Sequence, residues 1–119
     1  MTNDSEVLPL VSIIIPTFNH AMYLPFALRS VLEQTYTNWE LIIINNYSTD
    51  NTVEIVEGLN DTRIQIINFH NNGIIAASRN IGISKARGEW LAFLDSDDVW
   101  YSTKLERCMS IIGADKNVT

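Results

Sequence analysis

The chain has 119 residues, of which 46% are hydrophobic and 18% charged, values that predict one globular domain or a fragment and argue against disorder. A formal net charge of −6, with eight scattered Lys and Arg residues, argues against nucleic acid as a partner, because phosphate backbones require clustered cations. The polar N-terminus and the lack of a long apolar run predict neither a signal peptide nor a transmembrane segment. The single cysteine, Cys108, fits a reducing compartment, so we expect a cytoplasmic protein.

Four segments rich in aliphatic residues are predicted to be strands: residues 8–15, 39–44, 63–69 and the run that starts at Trp90. Pro16 is expected to end the first strand, because proline cannot donate to a central ladder. The third segment alternates apolar and polar residues, which favours a place near the edge of the sheet. The fourth is apolar up to Asp95, which is typical of a strand buried on both faces.

Apolar residues at helical spacing follow each predicted strand. The second helix is expected to be capped by Ser48 or Asp50, whose side-chain oxygens can accept from the first free amides. The third helix ends before Gly88, which is predicted to take the left-handed conformation of a helix C-terminus. The spacing of Thr103 and Glu106 predicts a capping box at the start of the fourth helix.

The alternation of strands and helices predicts an α/β fold, a three-layer sandwich with a mainly parallel sheet and Rossmann-like βα alternation. We expect the domain to span residues 10–113, between an N-terminal extension at 1–9 and a C-terminal tail at 114–119. Loops that follow parallel strands meet at one edge of the sheet, where such folds bind ligands. The candidate binding loops are therefore those at residues 16–19, 45–48, 68–73 and 95–98.

Three carboxylates, Asp95, Asp97 and Asp98, stand within four positions directly after the fourth strand. If strand geometry continues to Asp97, the side-chain period of two places Asp95 and Asp97 on one face and Asp98 on the other. Carboxylate oxygens suit Mg²⁺ or Mn²⁺, which also takes phosphate oxygens from a substrate. The alternative is a solvated turn in which Asp98 helps to start the last helix, and spacing alone does not decide between the two.

Six motifs follow one another along the chain: VSIIIPTFN at 11–19, LRSVLEQT at 28–35, ELIIINNYSTD at 40–50, NG at 72–73, ASRNIG at 77–82 and GEWLAFLDSDD at 88–98. Together, from about Val11 to Leu105, they resemble the nucleotide-sugar-binding half of family two glycosyltransferases with the GT-A fold. Each motif alone is weak, and the order of all six is what carries the resemblance. A truncated GT-A domain is the fold that it implies.

The resemblance implies inverting transfer of a sugar from a nucleotide diphosphate donor, usually UDP-linked, to a hydroxyl of a saccharide or other acceptor. By position, Asp97 and Asp95 correspond to the family's metal-binding Asp-x-Asp motif, with Mn²⁺ or Mg²⁺ as the ion. The residues implied to contact the nucleotide sugar are Pro16, Thr17, Asn19, Asn46, Asn71, Arg79, Asp95 and Ser96. Asn46 and Asn71 have plain turn formation as their alternative, and Arg79 a solvated position on a helix.

Two departures from the family pattern bear on function. Asn45, Asn46 and Tyr47 stand where the family has Asp-Asp-Gly, so Asn46 can accept from a uracil N–H only without a carboxylate's charge. Tyr47 is expected either to change the turn or to stack on the base. No residue matches the family's general base, so the catalytic residue stays unassigned; His20 and His70 are interpreted as surface histidines.

Two alternatives to an enzyme remain open. The first is a non-catalytic nucleotide-binding module that acts by assembly with a partner, and a homo-oligomer is also possible. Nucleotide binding without sugar transfer or donor hydrolysis would favour this alternative. The second is a receiver-type signalling domain, which would require acidic residues after the first strand, where the chain has residues 16–19.

Overall fold

The secondary structure follows the predicted alternation of strands and helices. A computed structural model describes residues 8–114, with β1 (Val11–Thr17), α1 (Leu24–Leu32), β2 (Trp39–Asn45), α2 (Thr52–Glu57), β3 (Ile64–Asn68), α3 (Ile75–Lys85), β4 (Trp90–Phe93) and α4 (Lys104–Ala114). The predicted extension at 1–9 and tail at 114–119 fall almost entirely outside the described residues. Their boundaries therefore stay predictions.

The four strands form one sheet in the order β3-β2-β1-β4, and every neighbouring pair is parallel. β2 lies inside the sheet and is buried along all seven residues, which explains its unbroken aliphatic sequence. β3 lies at one edge and is only partly buried. The predicted parallel α/β fold and the edge position of the third strand are both confirmed.

Helices cover both faces of the sheet, which makes three layers. Successive strand residues point to opposite faces, so Ile13 and Ile15 pack with α1, α2 and α4, whereas Ile14 packs under α3. Gly82 of α3 lies so close to Ile14 that a Cβ there would come within 2.6 Å of an Ile14 methyl group. Between residues 8 and 114, none of the helices has the length and apolar character to cross a membrane.

Pro16 does not end β1, contrary to the prediction. It pairs with Ile44 inside the ladder with β2, and the strand continues to Thr17. The backbone carbonyl of Ile14 points towards β4, where it accepts from the Leu94 N–H at 3.1 Å. The backbone nitrogen of Pro16, two residues later, points to the same side. β4 ends at Phe93, opposite Ile14, so no neighbouring carbonyl requires the N–H that Pro16 lacks.

β4 is the second edge strand of the sheet, and the prediction of a strand buried on both faces was wrong. Trp90 and Ala92 pack on the core beneath α1 and α4. On the other face Leu91 and Phe93 are 43% and 44% exposed, because the contacts of α3 with the sheet are to β1 and β2. An apolar run alone does not reveal which strands lie in the middle of a sheet.

Gly88 serves close packing and not helix termination. Among the described residues the only glycine with positive φ is Gly73. A Cβ on Gly88 would come within 2.6 Å of both the Leu10 carbonyl oxygen and the Ser12 hydroxyl oxygen. The Gly88 N–H donates to that hydroxyl at 2.8 Å, so the glycine allows the chain to enter β4 directly beside β1.

The predicted capping box of α4 does not form. The helix starts at Lys104, so Thr103 stands at the position that a capping box requires. The Glu106 carboxylate, however, accepts from the Thr35 hydroxyl. Gln34, at the end of α1, is buried and replaces the cap: its Oε1 accepts from the Leu105 N–H at 2.9 Å. A glutamine that follows α1 therefore satisfies one of the free amides at the start of α4.

Candidate functional site

A cleft of about 510 Å³ lies at the edge of the sheet where the strands end, as the parallel topology predicts. Eight of the nine residues predicted for the site line it: Pro16, Thr17, Asn46, Asn71, Arg79, Asp95, Ser96 and Asp97. The ninth, Asn19, does not. Five elements or loops, from β1 to the turn after β4, thus contribute predicted polar groups to one cavity.

Asn19 instead connects two loops beside the cleft. It has a positive φ of 52°, its N–H donates to the Ser48 hydroxyl at 2.9 Å, and its Oδ1 accepts from the Thr49 N–H at 2.7 Å. The Ala21 N–H donates to Asp50 Oδ2 at 3.0 Å in the same region. These bonds join the loop after β1 to the loop after β2.

Asp50 also organises the start of α2, but the N-cap position is Asn51 and not the predicted Ser48 or Asp50. Asp50 Oδ1 accepts from the Thr52 N–H at 3.2 Å and from the Thr52 hydroxyl at 2.5 Å. The Thr52 hydroxyl bond, together with backbone N–H bonds from Ala21 and Thr52, outweighs desolvation and lowers the pKa of Asp50. Ser48 has another role, since its hydroxyl donates to Asn45 Oδ1 at 2.6 Å.

Thr17 and Asn46 form the end of the cleft nearest β1 and β2. The Asn46 N–H donates to the Thr17 carbonyl at 3.0 Å, and Asn46 Oδ1 accepts from the Asn71 N–H at 3.0 Å. A backbone N–H can only donate, so this bond fixes the orientation of the Asn46 amide and leaves its Nδ2 donors for another partner. Thr17 Oγ1 is the one buried side-chain N or O atom of residues 8–114 that lacks a hydrogen-bond partner.

Asn71 is buried, and its side chain is committed to the loop before α3. Its Oδ1 accepts from the Gly73 N–H and its Nδ2 donates to the Ser78 hydroxyl, both at 2.8 Å. These bonds match the turn-forming role that the sequence left open. Asn71 can therefore shape the cleft wall through its backbone while its amide holds α3 in place.

The acidic residues form a turn that we call the acidic turn, residues 95–98. The Asp98 N–H donates to the Asp95 carbonyl at 3.0 Å, so strand geometry stops at Phe93 and the predicted strand-like alternation was wrong. Asp95 and Asp97 are exposed and line the cleft, whereas Asp98 does not line it. Ser96, between them, is 3% exposed. As predicted, Asp95 and Asp97 share one side and Asp98 does not, but a turn and not a strand arranges them.

Arg79 projects from α3 to the same part of the cleft. Its Nη2 lies 3.4 Å from Asp95 Oδ1, with both side chains well exposed to solvent. An exposed ion pair of this length contributes little to stability. Together with Asp97, the pair places one cation and two carboxylates in a single cavity. This arrangement suits a ligand that carries both phosphate groups and a metal ion.

The donor set fits a divalent ion that arrives with its ligand. Within residues 8–114 no group of three or more His, Cys, Asp or Glu side chains is placed to hold a metal by itself. Asp97 and Asp95 can supply two hard oxygen ligands from the acidic turn. Mg²⁺ typically binds to one or two carboxylates and completes its octahedron with water and substrate phosphates. The residues present match that mode of binding and would not form an all-protein cage.

Four cleft residues were not predicted from the sequence: Phe18, His20, Gly73 and Ile75. His20 is half-buried, and its Nδ1 lies 2.5 Å from the Ser96 hydroxyl oxygen, so its interpretation as a surface histidine was wrong. Its place three residues after Thr17 in a strand-end loop is the only sequence signal. Nothing in the local sequence indicates that Ile75 faces the same cavity.

Tyr47 takes a left-handed backbone conformation, which favours glycine, at the position where the family pattern has glycine. Its φ is 51°, and its ring lies against His70 with a centroid distance of 6.2 Å. Left-handed backbone in a residue with a Cβ costs about 1 kcal/mol or more.

Asn45 is buried, and its Nδ2 donates to Asn68 Oδ1 at 3.0 Å. This departure from the family pattern therefore links the ends of β2 and β3 and does not line the cleft.

A three-layer α/β domain with a polar, two-carboxylate cleft at its strand ends belongs to the class that binds ligands at the edge of a parallel sheet. A family model described as Glycosyl transferase family 2 matches residues 12–119. The chain belongs to this family, and its fold is of the GT-A type.

Curated relatives agree with this assignment. The chain is 41% identical to the putative teichuronic acid biosynthesis glycosyltransferase TuaG of Bacillus subtilis, over 83% of the chain and 40% of the relative. It is also 41% identical to WfgD of Escherichia coli, a UDP-Glc:alpha-D-GlcNAc-diphosphoundecaprenol beta-1,3-glucosyltransferase, over 87% of the chain and 41% of the relative. The chain thus spans about two fifths of the length of these enzymes.

Solved structures show the same fold. The TarS protein of S. aureus, in a structure with UDP-GlcNAc, aligns with a TM-score of 0.82 at 30% identity, over 87% of this chain and 31% of that one. The mannosyltransferase PcManGT of Pyrobaculum calidifontis, in complex with GDP-Man and Mn²⁺, aligns with a TM-score of 0.83 at 24% identity, over 98% and 36% of the two chains. At that identity, the second alignment supports the fold alone.

Proposed function

We propose that this domain binds a UDP-linked sugar in the cleft at the sheet edge, through a divalent ion held by Asp97 and Asp95, for inverting transfer of the sugar to an acceptor hydroxyl. The observation that carries the proposal is the convergence of two exposed carboxylates and one arginine on one cavity. Two similar proteins are named or described with UDP-sugars, WfgD and TarS, and this supports uridine as the base.

The two ends of the cleft suit the two ends of such a donor. The Asn46 Nδ2 donors lie at the β1 and β2 side, where they can pair with a base or ribose. Asp95, Asp97 and Arg79 lie at the β4 and α3 side, where they can receive the diphosphate and its metal. A chain with a formal charge of −6 would repel a diphosphate unless a cation stood between the acids and the phosphates.

The residues of the cleft have separate roles in the proposed transfer. When bound, Mn²⁺ or Mg²⁺ supplies Lewis-acid stabilisation of the negative charge that develops on the departing diphosphate. Asp97 and Asp95 would hold the ion in place. Arg79 can exchange its exposed pair with Asp95 for hydrogen bonds to phosphate oxygens. No residue of this chain is assigned as the base that deprotonates the acceptor hydroxyl.

The first test is ligand-dependent thermal unfolding of the chain. UDP with Mn²⁺, at about 100 times the dissociation constant, is expected to add about 2.7 kcal/mol of stability, whereas UDP or Mn²⁺ alone should add much less. GDP and CDP with Mn²⁺ are the matched controls for the base. No metal-dependent shift with any nucleoside diphosphate would overturn the proposal, and an equal shift with all three would remove only its choice of uridine.

A further inference from the structure

We infer that His20 is a positioning residue that holds the acidic turn against the loop after β1, and so sets the geometry in which Asp95 and Asp97 meet a metal ion; the metal-binding part rests on the proposed function. The contact that carries this inference is the bond between His20 Nδ1 and Ser96 Oγ, 2.5 Å long. It joins residues that are 76 positions apart in the sequence.

The backbone of His20 is itself firmly placed. Its carbonyl accepts from the Tyr23 N–H at 2.9 Å and from the Leu24 N–H at 2.8 Å, at the start of α1. Leu24 is fully buried in the core, and the Tyr23 ring meets the imidazole edge to face with centroids 5.9 Å apart. The imidazole therefore extends from a fixed backbone and is supported on one side by an aromatic ring.

Ser96 is the point at which the acidic turn needs such support. The ladder between β4 and β1 ends with the bond from the Leu94 N–H to the Ile14 carbonyl, so the turn lies beyond the sheet. Ser96 is buried between the exposed Asp95 and Asp97. The other side-chain link from this turn to a different element of residues 8–114 is the exposed pair of Asp95 with Arg79, which is weak in water.

Loss of the His20 contact would act on both carboxylates together. Without the imidazole, Ser96 Oγ would lose its partner in a buried site, and the turn could rotate to bring that hydroxyl to water. Asp95 and Asp97 flank Ser96 directly, so rotation would change the separation and direction of the two metal ligands. Groups that orient metal ligands without touching the ion typically contribute 10- to 100-fold in affinity, by general experience with metal sites.

Isosteric variants separate positioning from other roles of the imidazole. The amide of His20→Asn places a polar atom near the position of Nδ1 and can restore the bond to Ser96, whereas His20→Gln places its amide near Nε2. His20→Ala removes both. His70→Ala is the matched control, because His70 also follows a strand at this sheet edge but packs on Tyr47 and makes no contact with Ser96.

Two measurements test the inference, each on variants whose unliganded melting temperature confirms folding. Backbone ¹⁵N relaxation should give order parameters for residues 96–98 of about 0.85 in the wild type and in His20→Asn, and below about 0.6 in His20→Ala and His20→Gln. Calorimetric titration of UDP in excess Mn²⁺ should show affinity about 10-fold weaker or more in His20→Ala, partial recovery in His20→Asn, and no change in His70→Ala.

The two measurements fail in different ways. Unchanged order parameters in His20→Ala overturn the positioning role, whatever the ligand data show. If the wild type binds no Mn²⁺ and UDP while the turn loosens in His20→Ala, the proposed function fails and the structural role of His20 stands. If the turn loosens but affinity for UDP with Mn²⁺ is unchanged, the geometry of the acidic turn does not control metal binding and the inference is wrong.

Discussion

Replacement of Asp97 by asparagine is expected to weaken Mn²⁺-dependent UDP binding by about 100-fold, which corresponds to about 2.7 kcal/mol, and to leave metal-free UDP binding unchanged. Asp97 is exposed at the cleft and takes part in none of the three ion pairs of residues 8–114. Its full charge is therefore available to an ion. Asparagine keeps the shape and one oxygen but removes that charge. Isothermal titration with and without Mn²⁺ measures both quantities.

Asp98→Asn is the matched control for this variant. It makes the same chemical change in the same turn, but Asp98 does not line the cleft, and its Oδ1 accepts from the Val99 N–H at 2.9 Å. We expect UDP affinity in Mn²⁺ to change less than about 3-fold in Asp98→Asn. Equal losses in the two variants would mean that the net charge of the turn, and not coordination by Asp97, governs binding.

Replacement of Glu40 by glutamine is expected to cost about 2 kcal/mol of unfolding free energy at pH 7, and the cost should shrink in acid. Glu40 is buried near the amino-terminal end of β2, where Oε2 accepts from the Ser12 hydroxyl at 2.6 Å and from the Arg87 N–H at 2.7 Å. Both carboxylate oxygens of Glu40 accept hydrogen bonds. Glutamine replaces one of these oxygens by an NH₂ group, which would face a donor instead of accepting from it. The Arg87 side chain is 77% exposed, so its ion pair adds little.

The acid dependence follows from the pKa of Glu40. Burial alone would raise this pKa, but hydrogen bonds from the Arg87 N–H, the Ser12 hydroxyl and the Arg87 guanidinium together lower it below the ordinary value of 4.5. The stabilisation is thus complete above pH 4.5 and is lost as the pH falls through the lowered value. Urea unfolding at pH 7 and between pH 5 and 3 measures it. A pH-independent cost in Glu40→Gln would contradict the account.

The order of elements and the location of the cleft could be predicted from the sequence because they depend on local patterns. Aliphatic runs such as 39–44 predict strands, alternation with helices predicts a parallel sheet, and parallel strands place their following loops at one edge. Eight of nine predicted site residues meet there for this reason. The exception, Asn19, stands in the right loop but its side chain bonds to the neighbouring loop.

One error is local, since the bond from the Asp98 N–H to the Asp95 carbonyl replaces the predicted strand-like alternation. Other errors concern contacts between segments that are distant in the sequence. Whether Pro16 can lie inside a strand depends on where β4 ends, and the exposure of Leu91 and Phe93 depends on the order of strands in the sheet. The close approach of Gly88 to Leu10 and the bond of His20 to Ser96 likewise have no local signature. Local pattern therefore located the acidic turn, but its geometry required the fold.

The position of a bound Mn²⁺ ion relative to the sheet tests the central claim most directly. In ¹⁵N-labelled protein with UDP, substoichiometric Mn²⁺ is expected to broaden the amide signals of residues 95–97 and of Thr17 and Arg79, since all of these line the cleft. Signals of Glu40 and Gly88, at the opposite edge of the sheet, where the strands begin, should persist and report an intact fold. Broadening centred on that opposite edge, or spread evenly over the surface, would contradict a metal-dependent donor site at the acidic turn.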